Sequence, residues 1–139
     1  MTEEDKKLLL KDLSARLTCG VKAYVKNWSK LDRKYYEGVY TVESIHPSLN
    51  TVLAYSDKFS VEVIVGYDDY VIKPYLFPLT SMTEEQKEEY KSFFPMLPRD
   101  LITPSLSVKM IDWLNKNHFD YRGLIEKDLA IDATNLNIY

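Results

Sequence analysis

The chain of 139 residues has little of several features on which common classes of protein depend. Its single cysteine, Cys19, cannot form an internal disulfide, which excludes a small disulfide-stapled scaffold. Its apolar runs are only a few residues long, whereas a membrane-spanning helix needs about 20 apolar residues. Its four glycines are isolated from one another, so the sequence contains no glycine-rich phosphate loop.

An excess of positive charge is also missing. The chain has 18 Lys and Arg against 21 Asp and Glu, and its pI of about 5.4 is far from that of a dedicated nucleic-acid binder. Residues 1–5 contain no basic segment followed by an apolar one, so we expect no secretory signal and a cytoplasmic location. With 45% hydrophobic residues, a chain of this length is expected to fold as a single domain over 1–139.

The first element is predicted to be a helix from about residue 3 to about residue 18. Thr2 and Asp5 have the spacing of a capping box, and acids crowd the first turn, where the helix dipole favours them. Gly20 stands where a left-handed C-terminal cap is wanted. Leucines recur at helical spacing between these signals: Leu9, Leu13 and Leu17.

A β region is predicted over about 21–76, because the hydrophobic period changes to two at Val21. After the strand that begins there, four more strands are expected, at about 38–46, 51–56, 60–66 and 70–76. Their short connections indicate antiparallel neighbours. Closure into a small barrel of the SH3-like type would remove exposed edges, and an open antiparallel sheet covered on one face by helices is the competing arrangement.

A helical region is predicted over about 83–130. Thr83 and Gln86 form a second capping box, and this acidic helix should last until Phe94, because Pro95 cannot continue it. A further helix is expected from Leu106 to Asn117, a short one from Tyr121 to Ala130, and an extended tail after that.

The predicted fold class is therefore α+β: an N-terminal helix, a small curled antiparallel sheet or SH3-like barrel of about five strands, and two to three C-terminal helices. The positions expected in the core are Leu9, Leu13, Leu17, Val25, Val42, Ile45, Val63, Val65, Ile72, Leu106, Met110, Trp113, Leu114 and Leu124.

Several strings in the second half resemble the tags of a family of short proteins without an assigned activity. The family occurs in gut anaerobic bacteria and in their phages and mobile elements, and carries similar KPYLRPMSSMTEEE and HFDYRGLI segments. The resemblance covers roughly residues 72–139, with two departures: Phe77 stands where the family often has Arg, and Asp128 where it often has Gly. It implies an accessory role toward host or phage machinery. The matching strings are Ile72 to Leu76, Pro78 to Glu85, Asp112 to Asn115 and His118 to Ile125.

The segment from Lys22 to Tyr36 carries the clearest functional signal. Five cations stand there against one acid, Asp32, a local net charge of +4 in a chain whose total is −3. Aromatic residues lie between the cations, the layout on which single-stranded nucleic acid stacks its bases. The alternative is that the rings pack under a helix and leave the lysines solvated. The candidate binding residues are Lys22, Tyr24, Lys26, Trp28, Lys30, Arg33 and Lys34.

A second candidate site is the segment from His118 to Arg122, which brings together a base, an acid, a phenol and a guanidinium. The competing structural interpretation is a corner in which Asp120 caps the last helix, Phe119 enters the core and Arg122 makes a surface ion pair. The candidate pocket residues are His118, Asp120, Tyr121 and Arg122. Cys19 has no close histidine in sequence and no paired metal ligands, so no catalytic residue, metal or cofactor is predicted.

These observations favour a noncatalytic accessory binding module over an enzyme. A protein partner is expected first, nucleic acid second and a small-molecule ligand third, with no membrane contact and an undetermined oligomeric state. An enzyme or small-ligand-sequestering protein with a pocket near His118 is the alternative, and a structural phage component is another.

Overall fold

The computed structural model describes residues 1–94 and 104–139, and the chain begins there with a helix as predicted. Helix α1 spans Glu3–Arg16. The Thr2 hydroxyl accepts a hydrogen bond from Asp5 N at 3.0 Å, and the Asp5 carboxylate accepts one from Thr2 N at 3.2 Å, which completes the capping box. A 3₁₀ turn, Leu17–Cys19, follows α1, and Gly20 ends it with a φ of 68°.

The sheet contains the five predicted strands and two short ones. The strands are β1 (Lys22–Ser29), β2 (Lys34–His46), β3 (Thr51–Tyr55), β4 (Ser60–Ile64), β5 (Tyr70–Pro78), β6 (Phe119–Asp120) and β7 (Ile131–Asp132). They run in the order β4-β3-β2-β1-β5-β6, and β7 also pairs with β5. The first five pair antiparallel, whereas β6 and β7 lie parallel to β5.

The α+β class is thus confirmed, and the sheet is the curled, open form of the two alternatives. Among the strands of the described residues, β4 is hydrogen-bonded on one side only, so the ladder does not close into a barrel. Strand β2 begins four residues before the predicted start at residue 38, because residues 34–37 pair with the end of β1.

The core lies between α1 and one face of the sheet, here called the inner face. Leu9, Leu10 and Leu13 of α1 are buried against the inward residues of all five long strands, such as Val25 and Val52. Strand β5 continues beyond this cluster into two smaller ones, around Leu76 and around Phe77. Because every cluster includes residues of β5, this strand joins the N-terminal and C-terminal parts of the molecule.

The helices that follow the sheet are α2 (Glu84–Lys91) and α3 (Pro104–Lys116). The second capping box is confirmed, since Thr83 N donates to Gln86 Oε1 and Gln86 N to Thr83 Oγ1. The prediction that this helix lasts until Phe94 was wrong, because α2 ends at Lys91. Within the described segments, no helix is both long and apolar enough to cross a bilayer.

The third predicted helix, Tyr121 to Ala130, was also wrong: this segment is a series of turns. Gly123 and Asp128 have φ angles of 76° and 59°, which a right-handed helix cannot contain. Asp120 does act as a cap, as the structural interpretation held, but on a turn. Its carboxylate accepts hydrogen bonds from Leu124 N at 3.0 Å and Ile125 N at 2.9 Å.

Nine of the fourteen predicted core residues are buried, and five are only half-buried. The half-buried ones are Leu17, Ile45, Leu106, Met110 and Trp113. Trp113 lies in an aromatic cluster with Tyr90 of α2 and Phe119 of β6, at ring distances of 6.0 and 5.5 Å. Since α3 packs in this cluster beyond the end of the sheet, its apolar side chains keep more contact with solvent than those of α1.

Candidate binding surface

The face of the sheet opposite α1 carries the candidate residues of β1. Val21, Ala23 and Val25 point into the core, so the intervening residues Lys22, Tyr24, Lys26 and Trp28 point the other way. Of these four, none is buried. The alternative in which Tyr24 and Trp28 are hidden beneath a helix therefore does not describe the structure.

Strand β2 adds its own alternate side chains to this surface. Tyr35 lies opposite Trp28, Glu37 opposite Lys26 and Val39 opposite Tyr24. Tyr35 and Val39 are 49% and 44% exposed, high fractions for residues of their size and polarity. We call the surface formed by these six residues the outer face.

Two aromatic side chains and a lysine meet at the end of the outer face nearest the β1–β2 turn. Trp28 and Tyr35 contact each other edge to face, with ring centroids 4.9 Å apart. Lys26 Nζ lies 4.5 Å from the centroid of the Tyr35 ring. Such cation–π contacts at exposed positions contribute about 0.5–1 kcal/mol, enough to orient the side chains and weak enough for a ligand to displace.

The acid of the outer face forms a hydrogen bond within that face. Glu37 accepts a hydrogen bond from the Tyr24 hydroxyl. That bond is the main cause that raises the pKa of Tyr24 to about 12, so the phenol stays protonated at physiological pH. The middle of the outer face is therefore a hydrogen-bonded Tyr24–Glu37 pair between its aromatic end and Lys22.

The turn between β1 and β2 carries the remaining candidate cations. Lys30, Arg33 and Lys34 are exposed, and Leu31 between them is 91% exposed. The single acid of the turn, Asp32, accepts a hydrogen bond from the Tyr36 hydroxyl. Lys34 Nζ lies 4.8 Å from the centroid of the Tyr36 ring, on the face of the hairpin opposite Tyr35. The aromatic end and the exposed turn residues next to it are here called the hairpin end: Lys26, Trp28, Lys30, Leu31, Arg33 and Tyr35.

Lys22 lies at the opposite end of β1 and is engaged with the C-terminal residues. Its Nζ donates to the Ile138 carbonyl at 3.1 Å and lies 5.9 Å from the Tyr139 ring centroid. The structure thus brings together five of the seven candidate residues along β1 and its turn. Lys34 faces the other side of the hairpin, and Lys22 contributes to the packing of the tail.

The second candidate set is dispersed. His118 lines a cavity of about 470 Å³ together with Phe77, Lys116 and Tyr139, whereas Asp120 and Tyr121 line a different one of about 330 Å³. Arg122 lines neither of them. Arg122 does contact Tyr121, with its Cζ 4.7 Å from the ring centroid. His118 and Asp120 face different cavities, which is why the four residues do not form a single site.

His118 itself is held tightly. Its ring stacks on Tyr139 with centroids 3.6 Å apart, and its backbone φ is 61°. Burial, together with the charges of Arg16 and Lys22, lowers the pKa of His118 to about 4, so the imidazole is neutral at pH 7. Its Nδ1 atom is buried and has no hydrogen-bond partner within the part of the chain that the structure describes.

A buried ionic network lies beside this segment and was not predicted. Arg16 donates from Nε to Asp12 Oδ2 at 2.9 Å, and Arg122 Nη1 lies 3.4 Å from Asp12 Oδ1. Arg122 was expected to form a surface pair, but its partner Asp12 is fully buried. The helical spacing could have indicated this burial, because Asp12 and Arg16 lie on the same face of the helix as Leu9 and Leu13.

No group of three His, Cys, Asp or Glu residues that could hold a metal ion occurs in residues 1–94 and 104–139. Cys19 is half-buried. No protein-family model, curated protein or solved structure matches the chain. The chemistry of its surfaces is therefore the evidence on which a function must be argued.

Proposed function

We propose that the chain is a noncatalytic, accessory binding module that contacts a macromolecular partner through the outer face and the hairpin end. The observation that carries this proposal is the exposure of Tyr35 and Val39 on the outer face, beside Trp28 and Lys26. Contiguous exposed apolar surface with a polar rim is typical of interaction sites. Trp, Tyr and Arg, which dominate binding hot spots, all occur on this surface.

The rigidity of the supporting strand favours the same interpretation. Strand β1 is hydrogen-bonded to β2 on one side and to β5 on the other, so its side chains keep a fixed spacing. A surface that is ordered before binding loses little conformational entropy when the partner arrives, which leaves more of the contact energy as affinity.

Three of the four side chains in the second candidate set support a noncatalytic role, because their polar atoms are used in structural bonds. The Asp120 carboxylate accepts two backbone N–H groups, and the Tyr121 hydroxyl donates to Asn115 Oδ1 at 2.7 Å. Arg122 is paired with Asp12. The resemblance of the second half to short proteins of phages and mobile elements agrees with an accessory role.

Site-specific photo-crosslinking tests the location of the interface. A benzophenone amino acid placed at Tyr35 or Val39 is expected to form adducts with a partner in cells that contain it, and mass spectrometry then identifies the adducts. The same amino acid at Leu49, which is exposed in the turn after β2 at the end of that strand far from Tyr35, serves as the control. Adducts formed only from the control position would overturn the proposal.

The small-ligand alternative has one observation in its favour, the cavity of about 470 Å³ that His118 lines. Amide and hydroxyl side chains such as Asn117 and Thr134 share its wall with aromatic rings. A ligand at 100 times its dissociation constant adds about 2.7 kcal/mol to the free energy of unfolding. A thermal-shift screen of metabolites and nucleotides, repeated with Asn117→Ala, would reveal such a ligand and favour this function over the binding module.

A further inference from the structure

We propose that the partner of the hairpin end is single-stranded nucleic acid. This inference rests on the proposed function and names the chemical class of the partner. Three observations carry it: the distribution of charge, the alternation of rings and cations along β1, and the accessibility of the ring faces.

The charge distribution directs a polyanion to this part of the molecule. Residues 22–36 have a net charge of +4, although the whole chain has −3, so the remaining surface is acidic. Lys30 and Arg33 are exposed, and the Asp32 carboxylate is engaged by the Tyr36 hydroxyl. The charge distribution therefore favours approach of a phosphate backbone to the hairpin end over the rest of the chain.

The order of side chains on β1 matches the alternating chemistry of a nucleic-acid strand. Trp28, Lys26 and Tyr24 follow one another on the outer face as ring, cation and ring, at intervals of about 7 Å. In this arrangement bases stack on the rings and a phosphate meets the ammonium group between them. Glu37, bonded to Tyr24, limits the cationic surface on the β2 side and so directs the strand toward the turn.

The exposed faces of the rings favour stacking by unpaired bases. Tyr35 is half exposed, and the lysine above its ring is held by a contact weak enough to exchange for a base. The bases of a duplex are already stacked on one another, so a single strand gains from these rings what a duplex does not. An acidic peptide would satisfy the lysines but leave the ring faces without partners.

Fluorescence polarisation with labelled 15-nucleotide oligo-dT and oligo-U, titrated with the full chain at 50–200 mM salt, tests the proposal. The two oligonucleotides distinguish DNA from RNA as the source of the strand. Binding of at least one of them, more tightly than a 15-base-pair duplex, is expected. Absence of binding at 100 µM protein and 50 mM salt, or a preference for the duplex or for a poly-glutamate peptide, would overturn it.

Variants separate stacking from charge. Tyr35→Ala should weaken binding about tenfold at every salt concentration, because it removes a ring on which one base stacks. The double variant Lys30→Glu/Arg33→Glu should weaken binding more strongly and reduce the slope of log affinity against log salt by about 2. Lys7→Glu/Lys11→Glu, the same change of charge on the exposed side of α1, should leave affinity almost unchanged.

The controls make each result decisive. Circular dichroism and thermal unfolding establish that every variant is folded. Equal weakening by the α1 variant and the turn variant would mean nonspecific attraction and would overturn the inference. If the oligonucleotides do not bind while crosslinks from Tyr35 still capture a partner, the nucleic-acid inference fails and the binding-module proposal stands. If neither is seen, both fail.

Discussion

Arg16 donates a hydrogen bond from Nε to Asp12 Oδ2 over 2.9 Å, and neither side chain is exposed to solvent. Arg16 also donates from Nη2 to the Phe119 carbonyl, so this pair connects the N-terminal helix to the short strand β6. Arg16 Nη1 is buried without a hydrogen-bond partner among the described residues. A charge in this position depends on its counter-charge, because water cannot replace it.

Substitution of Asp12 by Ala is expected to lower the free energy of unfolding by about 3–5 kcal/mol, because it leaves the Arg16 guanidinium buried and uncompensated. Urea unfolding followed by circular dichroism measures this. The matched control is Glu3→Gln, which removes an ion pair between Lys6 and a well-exposed acid and should lower the free energy of unfolding far less. A similar loss in the free energy of unfolding in both variants would show that the buried pair contributes no more to stability than the exposed one.

Acidification is expected to destabilise the protein through His118. Its pKa is lowered by burial to about 4 from an ordinary value of 6.5, so between these values the unfolded chain binds a proton that the folded chain does not. The stability that depends on neutral His118 is therefore complete above pH 6.5 and is lost as the pH falls toward 4, by roughly 2–3 kcal/mol.

Urea unfolding at pH 7.5 and pH 4.5 isolates this contribution when the chain is compared with His118→Asn. Asparagine tolerates the positive φ of this position, so the variant should fold and lose less stability on acidification than the unsubstituted chain. His46→Asn, at an exposed position, is the matched control and should retain the full loss. An identical pH dependence in all three proteins would exclude His118 as the cause.

The Tyr139 hydroxyl is expected to hold β1 and β5 together where their ladder ends. It accepts a hydrogen bond from Lys22 N at 3.0 Å and donates one to the Tyr75 carbonyl at 2.9 Å. Tyr139→Phe keeps the ring on His118 and removes both bonds, which should cost about 1–2 kcal/mol. Hydrogen exchange measured by NMR should become faster at the Lys22 amide, whereas Tyr67→Phe, at an exposed ring, should change nothing there.

A side chain at Gly66 is expected to destabilise the protein. Its φ is 95°, and a Cβ there would lie 2.3 Å from Lys6 Cε. The lysine end can move away but the backbone strain remains, so Gly66→Ala should lower the free energy of unfolding by about 1–2 kcal/mol. Gly38→Ala, whose Cβ would meet nothing closer than 3.7 Å, should keep or slightly raise stability in the same thermal unfolding experiment.

Much of the fold could be predicted because its signals are local. The capping boxes at Thr2 and Thr83 and the left-handed Gly20 depend only on neighbouring residues, and all three are confirmed. The alternation that begins at Val21 marked the inner and outer faces of β1 correctly. The segment after Asp120 was predicted as a helix because its apolar spacing suits one, but the positive φ of Asp128 and the pairing of β7 with β5 cannot be read from spacing.

The candidate surface was predictable in part for the same reason. The charge and aromatic content of Lys22 to Tyr36 are properties of one segment, and pairing of β1 with β2 keeps that segment together in space. The contribution of Val39 was not foreseen, because it depends on the register between strands. The position of Lys22 in the tail packing was not predictable either, since its contact with Ile138 joins residues far apart in the chain.

Composition and periodicity alone determined that this chain forms a helix, then a β region of five main strands, then helices, because burial of apolar stripes with these periods allows few other orders of elements. They left open whether the sheet closes into a barrel. The tertiary structure decided which polar groups meet: it buried Asp12 with Arg16, separated His118 from Arg122, and left Tyr35 beside Trp28 in solvent. The members of each pair are close in sequence, but their surroundings depend on strand register, on turn geometry and on distant contacts such as that of Arg16 with the Phe119 carbonyl. Hydrophobic patterns carry no information about these.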